Sequence, residues 1–237
     1  MNTEDFWNKI YATNQTRIPN EHDPVLSAAL RHFGDVNGAK LLDLGCGDGS
    51  TSLFFAQKGA NVVSIDISDT AINQLSQFCL QHKINNISPH KCSAFEISEL
   101  GKFDFIFGNM ILHHLEPFEV FSDVLSKSIV SGGKAFFHEN NAFSNLLIWF
   151  RNNLVGKYGI PKYGDDDEFP LMPMEIEIMR RKFSVEIVYP ELLFFQLVSA
   201  YLFKGHLHQL MKGLDEYFFQ VPGFRKYSYR QYLLCSL

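Results

Sequence analysis

The chain alternates two kinds of apolar pattern. Short unbroken apolar runs bounded by Gly, Asp or Asn fit buried parallel strands, and apolar positions three and four apart fit amphipathic helices. The spacing predicts a helix over 24–33 (PVLSAALRHF), with Asp23 as N-cap, Pro24 at the first helical position and Gly34 as its stop. A strand over 39–44 follows, then a helix over 50–58 stopped by Gly59, a strand over 61–65, and a helix over about 69–82 capped by Ser68 or Asp69. Ala71, Ile72, Leu75, Phe78 and Cys79 form the buried stripe of that last helix. Further strands are predicted near 87–92, at 103–107 (FDFIF) and, after the Gly132–Gly133 turn, at 134–138, with a helix over 117–129 before the last of them. FSVEIVY (183–189) and YRQYLLCSL (229–237) read as the two final strands. Such alternation predicts an α/β fold with a mostly parallel, seven-stranded sheet and right-handed crossovers.

Composition narrows the class. A chain of 237 residues at 46% hydrophobic supports a full core, and one domain spanning 1–237 with elaborations is expected over two. The net charge of −5 and pI near 6.0 give no general attraction to polyanions, so nucleic acid is not an expected partner. Cys46, Cys79, Cys92 and Cys235 show no CxxC pair or metal-ligand spacing, which suits a reduced cytoplasmic protein. The opening MNTEDFWNKIY has no apolar core of an export signal, and no repeat or low-complexity tract is visible.

Candidate chemistry begins at Leu41–Gly49, LLDLGCGDG, with Asp66 closing the next apolar run, VVSID. A strand running into a glycine-rich turn, a helix and a second strand ending in an acid describes a nucleoside pocket, in which Asp66 would accept hydrogen bonds from ribose hydroxyls. The glycines permit close backbone approach, and a Cβ at Gly45, Gly47 or Gly49 would intrude on the ligand or forbid the turn. The third glycine comes one place early for a dinucleotide fingerprint, and Asp43 and Asp48 crowd the helix N-terminus against a phosphate. A cationic or zwitterionic nucleoside suits the site better.

Leu41–Asp66 resembles the class I methyltransferases that use S-adenosylmethionine (SAM). The resemblance implies a doubly wound Rossmann-like sheet whose last strand is antiparallel at a terminal edge. It places Asp43, Gly45, Cys46 and Gly47 beside the methionine moiety and Asp66 and Ile67 at the ribose. GNMILHHLEP (108–117) resembles the segment after strand four in members that act on small molecules, and it lacks the proline-aromatic motif of enzymes that methylate base or amide nitrogens. Asn109 then lines the cofactor site, and His113 or His114 is a candidate general base, although packing roles are open to both. In the loop after strand three Ser93 stands where the family often has an acid, and Ser93, Ala94 and Phe95 are placed at the adenine. FWNKIYA (6–12) resembles a segment that folds over the cofactor, with Trp7 and Tyr11 on one helical face; an amphipathic helix docked on the core is the alternative.

After strand five, residues 139–173 are too long for an ordinary loop and read as a lid or acceptor-binding insertion. Related enzymes carry a DEHPL-like stretch here; this chain has Asp167, Glu168, Phe169, Pro170 and Leu171, so that position supplies no histidine base. Glu139 and Arg151 are candidates for acceptor binding, with Glu139 also a candidate base. The run Asp165–Glu168 reads as a solvated turn, and no metal site is expected. Residues 191–219 are rich in Leu and Phe but too interrupted to span a bilayer; burial on the sheet is expected, with a homo-oligomer contact or peripheral membrane docking left open. The resemblance implies in-line displacement of the sulfonium methyl onto a small-molecule, glycan or lipid-linked acceptor. Other SAM chemistry on the same fold, or a membrane-peripheral binding protein, are the alternatives.

Overall fold

A computed structural model describes residues 3–154, 157, 169–203 and 206–237. In chain order the elements are α1 (Thr3–Ala12), α2 (Pro24–Phe33), β1 (Lys40–Leu44), α3 (Ser50–Gln57), β2 (Asn61–Asp66), α4 (Asp69–His82), β3 (Ile87–Lys91), β4 (Phe103–Asn109), α5 (Phe118–Lys127) and β5 (Ile129–Asn140). They continue as α6 (Asn145–Leu154), α7 (Pro173–Arg180), β6 (Ser184–Val188), α8 (Phe194–Phe203), α9 (His208–Phe219), α10 (Pro222–Arg225) and β7 (Arg230–Ser236). Short 3-10 turns stand at Ile97–Leu100 and Leu112–His114.

The seven strands form one sheet in the order β3-β2-β1-β4-β5-β7-β6, and β7 alone runs antiparallel, against both β5 and β6. The final strand is therefore not the edge that the family resemblance implied. Burial explains the order: Gln231, Tyr232, Leu233 and Cys235 of β7 are all buried, as an interior strand requires, whereas Ser184 and Glu186 of β6 are exposed and suit an edge. The fifth strand also starts five residues before the expected 134. Ile129, wholly buried, pairs with Phe103, and the register then slips so that Phe105 faces Lys134. That detour ends α5 at Lys127 rather than 129.

Helices cover both faces. On one, Leu42, Ile106, Phe121, Leu125, Phe137 and Leu233 pack together with α5 and α7; on the other, Leu41, Phe54, Phe55, Leu75, Phe107 and Phe136 pack with α2, α3 and α4. Each of these large side chains contributes roughly 1.5–3 kcal/mol on burial. Caps fix the helix starts: Val25 N and Leu26 N donate to Asp23 Oδ1 at 2.8 and 3.1 Å, and Ala71 N donates to Ser68 Oγ at 3.2 Å.

The C-terminal helices are less covered than expected. Phe195 N and Gln196 N donate to the buried Asp215 of α9, which so caps α8. Yet Leu207, Leu210 and Tyr217 are exposed, as are Leu146 and Trp149 on α6. Among the described residues no helix is long and apolar enough to cross a membrane. The insertion is tied to the sheet by a bridge from Asn141 to the buried Leu171; its acidic run 165–168 lies outside the described residues. All four cysteines are free.

Candidate active site

The site forms beyond the carboxyl ends of β1, β2 and β4, where an open parallel sheet leaves a crevice. Directly after β1 the backbone takes positive φ at Gly45, Gly47 and Gly49 (71, 51 and 79°), a path that other residues follow only with strain. What crowds this loop is protein. A Cβ on Gly47 would stand 2.7 Å from the Tyr11 hydroxyl, and one on Gly45 would stand 2.9 Å from Ile111 Cδ1. Gly47 N donates to Asp66 Oδ2 at 3.0 Å and Ser68 N donates to Asp66 Oδ1 at 2.8 Å, so the acid at the end of β2 holds the loop after β1 in place. Each carboxylate oxygen takes one of these amides and keeps lone-pair capacity for a further donor.

Three acids gather here. Ser52 Oγ donates to Asp43 Oδ2 at 2.5 Å, and Ser64 Oγ donates in turn to Ser52 Oγ at 2.7 Å. Burial, reinforced by the charges of Asp66 and Asp48 and opposed by the Ser52 bond, pushes the Asp43 carboxyl up to about 7. Burial also raises Asp66, against the amide bonds of Ser68 and Gly47. A cation beside this group would relieve it.

A cavity of about 320 Å³ opens next to Asp66, at the lower end of the ligand-pocket range of roughly 300–1,000 Å³. Of the residues singled out from sequence, Trp7, Tyr11, Gly45, Asp66, Ile67, Ser93, Ala94, Phe95, Asn109 and His114 line it. Asp43, Cys46 and Gly47 do not. Asp43 is turned onto Ser52, Cys46 is buried in the apolar layer under α3, and the Tyr11 hydroxyl occupies the space outside Gly47. Thr3, Leu44, Ile65, Cys92, Met110, Ile111 and Leu115 also line the cavity. The positions of Ile111 and Leu115 around the histidine pair carried a sequence signal for this wall; Thr3 carried none.

Helix α1 roofs the cavity without burying a single residue. Its anchors are polar: Ser68 Oγ and Thr70 N donate to Asn8 Oδ1 at 2.7 and 3.1 Å, Gln74 Nε2 donates to Tyr11 O at 2.9 Å, and Lys91 Nζ lies 2.7 Å from both Glu4 and Asp69. The Trp7 and Tyr11 rings stack at 5.9 Å. Burial, then the Asp66 charge, holds the Tyr11 hydroxyl protonated well above its ordinary range.

The histidines divide. Ile111 N and Leu112 N donate to Glu139 Oε1 at 2.8 and 2.7 Å, and His113 Nδ1 stands 2.6 Å from Glu139 Oε2. Glu139 is wholly buried and the His113 side chain is 2% exposed, so neither lines the cavity as a base would. Their contacts instead fix the Leu112–His114 turn. His114 does line the cavity, 4.1 Å from the His113 ring and edge-on to Trp7 at 5.7 Å.

A further histidine lies inside an apolar strand, where no motif marks it. His138 on β5 is buried, and its Nδ1 is 2.8 Å from Asn109 Oδ1. Burial and the Arg230 charge lower it to about 4, so the ring is neutral; its Nδ1–H donates to Asn109, and Nε2 faces Arg230 Nη1 at 3.4 Å.

A second cavity, of about 960 Å³, opens between α6, α8 and α10. Phe143, Leu146, Phe194, Phe195, Val221 and Phe224 line it. Its cation is Lys226, with Nζ 5.2 Å from the Phe143 ring centroid and 5.5 Å from that of Tyr227.

Residues 41–129, which carry the glycine loop, Asp66, the Ser93–Phe95 wall and the histidine turn, match the family described as methyltransferase domain. That stretch is a methyltransferase domain. The chain is 26% identical over 112 residues to a ubiquinone biosynthesis O-methyltransferase of Acinetobacter baylyi, a match spanning 46% of this chain and 47% of that protein. The chain thus spans about half the length of that relative. It is 23% identical over 194 residues to the protein of the same name from Rickettsia bellii, covering 78% of each. Its fold is shared by the N-methyltransferase NodS from Bradyrhizobium japonicum, solved with S-adenosylhomocysteine (SAH), at a TM-score of 0.61 and 14% identity over 100% of this chain and 98% of that one. The chain's own residues fit SAM: Asp66 has acceptor capacity at the cavity wall, and the acids nearby complement a ligand carrying sulfonium and ammonium charge.

Proposed function

We propose that the chain transfers the sulfonium methyl of SAM to an oxygen of a small-molecule acceptor by in-line displacement. Asp66 carries the proposal, since an acid that ties the glycine loop to β2 and still presents acceptor capacity to the cavity is the group a ribose requires. Asp66 and Ile67 would hold the ribose, Ser93, Ala94 and Phe95 the adenine, and Gly45, Asn109, Trp7 and Tyr11 the remainder. SAM supplies an electrophilic methyl on a cationic sulfur. The chain's task is to align the acceptor, a contribution of roughly 7–11 kcal/mol where alignment is good.

The naming of the two relatives as O-methyltransferases supports oxygen as the atom that receives the methyl. A hydroxyl loses its proton on methylation, and His114 is the titratable side chain of the histidine turn that reaches the cavity. Glu139 and His113 act as positioning residues beneath it. The cavity of about 960 Å³ beside α6 would take the apolar part of the acceptor, making residues after β5 the acceptor side of the site. The test is incubation with SAM labelled in the methyl group and a fractionated extract of the host, read by mass spectrometry. A labelled hydroxyl-bearing small molecule is the expected product; tight SAM binding with no labelled product contradicts methyl transfer.

A further inference from the structure

Among the described residues Arg230 is a cation without a carboxylate partner. Several surface cations pair with carboxylates: Lys91 with Glu4 and Asp69, Lys182 with Asp123, Arg181 with Glu119. Among the described residues no carboxylate lies within 4 Å of Arg230, and its Nε is buried with no hydrogen-bond partner. Its polar contact is the long one to His138, a neutral ring that cannot balance its charge. Leaving a guanidinium N–H desolvated and unpaired is unfavourable, and a bound anion would remove that penalty.

Placement gives the penalty a use. Arg230 opens β7 directly opposite Asn140 at the carboxyl end of β5, so the two side chains share one face at the ligand-binding edge of the sheet. Asn140 Oδ1 is likewise buried without a partner. Rotating that amide by half a turn, which exchanges its oxygen and nitrogen, offers an N–H donor beside the guanidinium. His138 links Arg230 to Asn109, a wall of the cofactor cavity, at 3.4 and 2.8 Å. Arg151 Nη1, 3.4 Å from the Tyr229 hydroxyl, brings a second guanidinium to the start of β7.

We propose that Arg230 and Asn140 form a subsite for an oxyanion, carboxylate or phosphate, carried by the methyl acceptor. A guanidinium edge presents two parallel N–H donors and so grips such a group in one orientation. The neutral His138 leaves that charge for the ligand, and the contact through Asn109 ties the anion's seat to the cavity where transfer would occur. The acceptor class is thereby narrowed to anionic small molecules. This rests on the methyl-transfer reading for its biological meaning, but the subsite itself is tested separately.

The test is calorimetric titration of the full chain, saturated with SAH, using benzoate, phenyl phosphate and the neutral benzamide as probes. An oxyanion probe should bind at least tenfold tighter than benzamide, and the better of the two identifies the oxyanion. Arg230→Gln should weaken that probe at least tenfold while changing SAH affinity less than twofold, and Arg230→Lys should recover part of the loss. Equal binding of benzoate and benzamide, no binding of either oxyanion, undiminished binding by Arg230→Gln, or an equal loss of SAH affinity would each overturn the subsite. Should SAH fail to bind the wild-type chain while oxyanion binding still depends on Arg230, the methyl-transfer reading falls and the subsite stands.

Discussion

The two cavities are built in opposite ways. The smaller one is made by backbone: strand ends, three positive-φ glycines and amide bonds to Asp66 fix its shape, and most of its wall comes from the contiguous stretch between Leu44 and Leu115. The larger is lined by side chains from widely separated parts of the chain, among them Phe143 and Leu146 around the start of α6, Phe194 and Phe195 of α8 and Phe224 of α10. A backbone-built site tolerates little variation and suits a ligand that does not vary. A site of apolar side chains can be reshaped one residue at a time, and suits an acceptor that differs from one relative to the next.

Breaking the first cavity should have the largest effect. Asp66→Ala removes acceptors for the ribose worth roughly 1.5–3 kcal/mol per charge-assisted bond, and releases the loop amide of Gly47. SAM affinity measured by calorimetry should fall by at least about a hundredfold; an unchanged affinity would displace the ribose from this acid. Next comes His114→Ala, expected to lower kcat by about a hundredfold with KM for SAM little changed, the usual minimum for loss of a general base. An unaltered kcat would leave the acceptor to lose its proton to solvent.

Glu139→Gln should act through structure. Three donors converge on this buried carboxylate, and an amide cannot accept them all, so a melting scan should show destabilisation of about 1–3 kcal/mol. Loss of kcat without loss of stability would instead make Glu139 a participant in the chemistry.

Asp43 gives a pH signature. Its carboxyl titrates at about 7 in the folded chain against about 3.9 unfolded, so between those values the folded state binds more protons and stability falls as pH rises, levelling above 7. SAM, being cationic, favours the ionised acid, so its affinity should climb through the same window and more steeply than that of SAH. Asp43→Asn should flatten both profiles and weaken SAM several-fold; profiles that stay sloped would assign the titration to another group. The smallest effect belongs to the second cavity. Phe224→Ala should raise KM for the acceptor a few-fold and leave SAM affinity unchanged, and a shift in SAM affinity would erase the distinction between the cavities.

The same contrast explains what could be read in advance. The order of strands and helices through residue 129 followed from unbroken apolar runs and from Asp23, Ser68, Gly34 and Gly59 as punctuation. The place of β7 inside the sheet depends on burial of both its faces, which no local pattern states. In the site, the residues that line the cavity by virtue of strand ends, such as Asp66 and Asn109, were legible. Glu139 reads as a ligand group because it is an acid at a strand end, and Asp43 because of the family resemblance, yet each is turned inward by partners distant in sequence, Ile111 and Leu112 for one and Ser52 for the other. His138 and Arg230 carry no motif; only the pairing of β5 with β7 brings them together.

The most direct measurement is a crystal structure of the chain grown with SAH. The expected arrangement has the ribose hydroxyls on the Asp66 carboxylate and the adenine against Ser93–Phe95, beneath Trp7 and Tyr11. A nucleoside seated in the larger cavity among Phe143, Phe194 and Phe224, with Asp66 still bound only to its two amides, would contradict it.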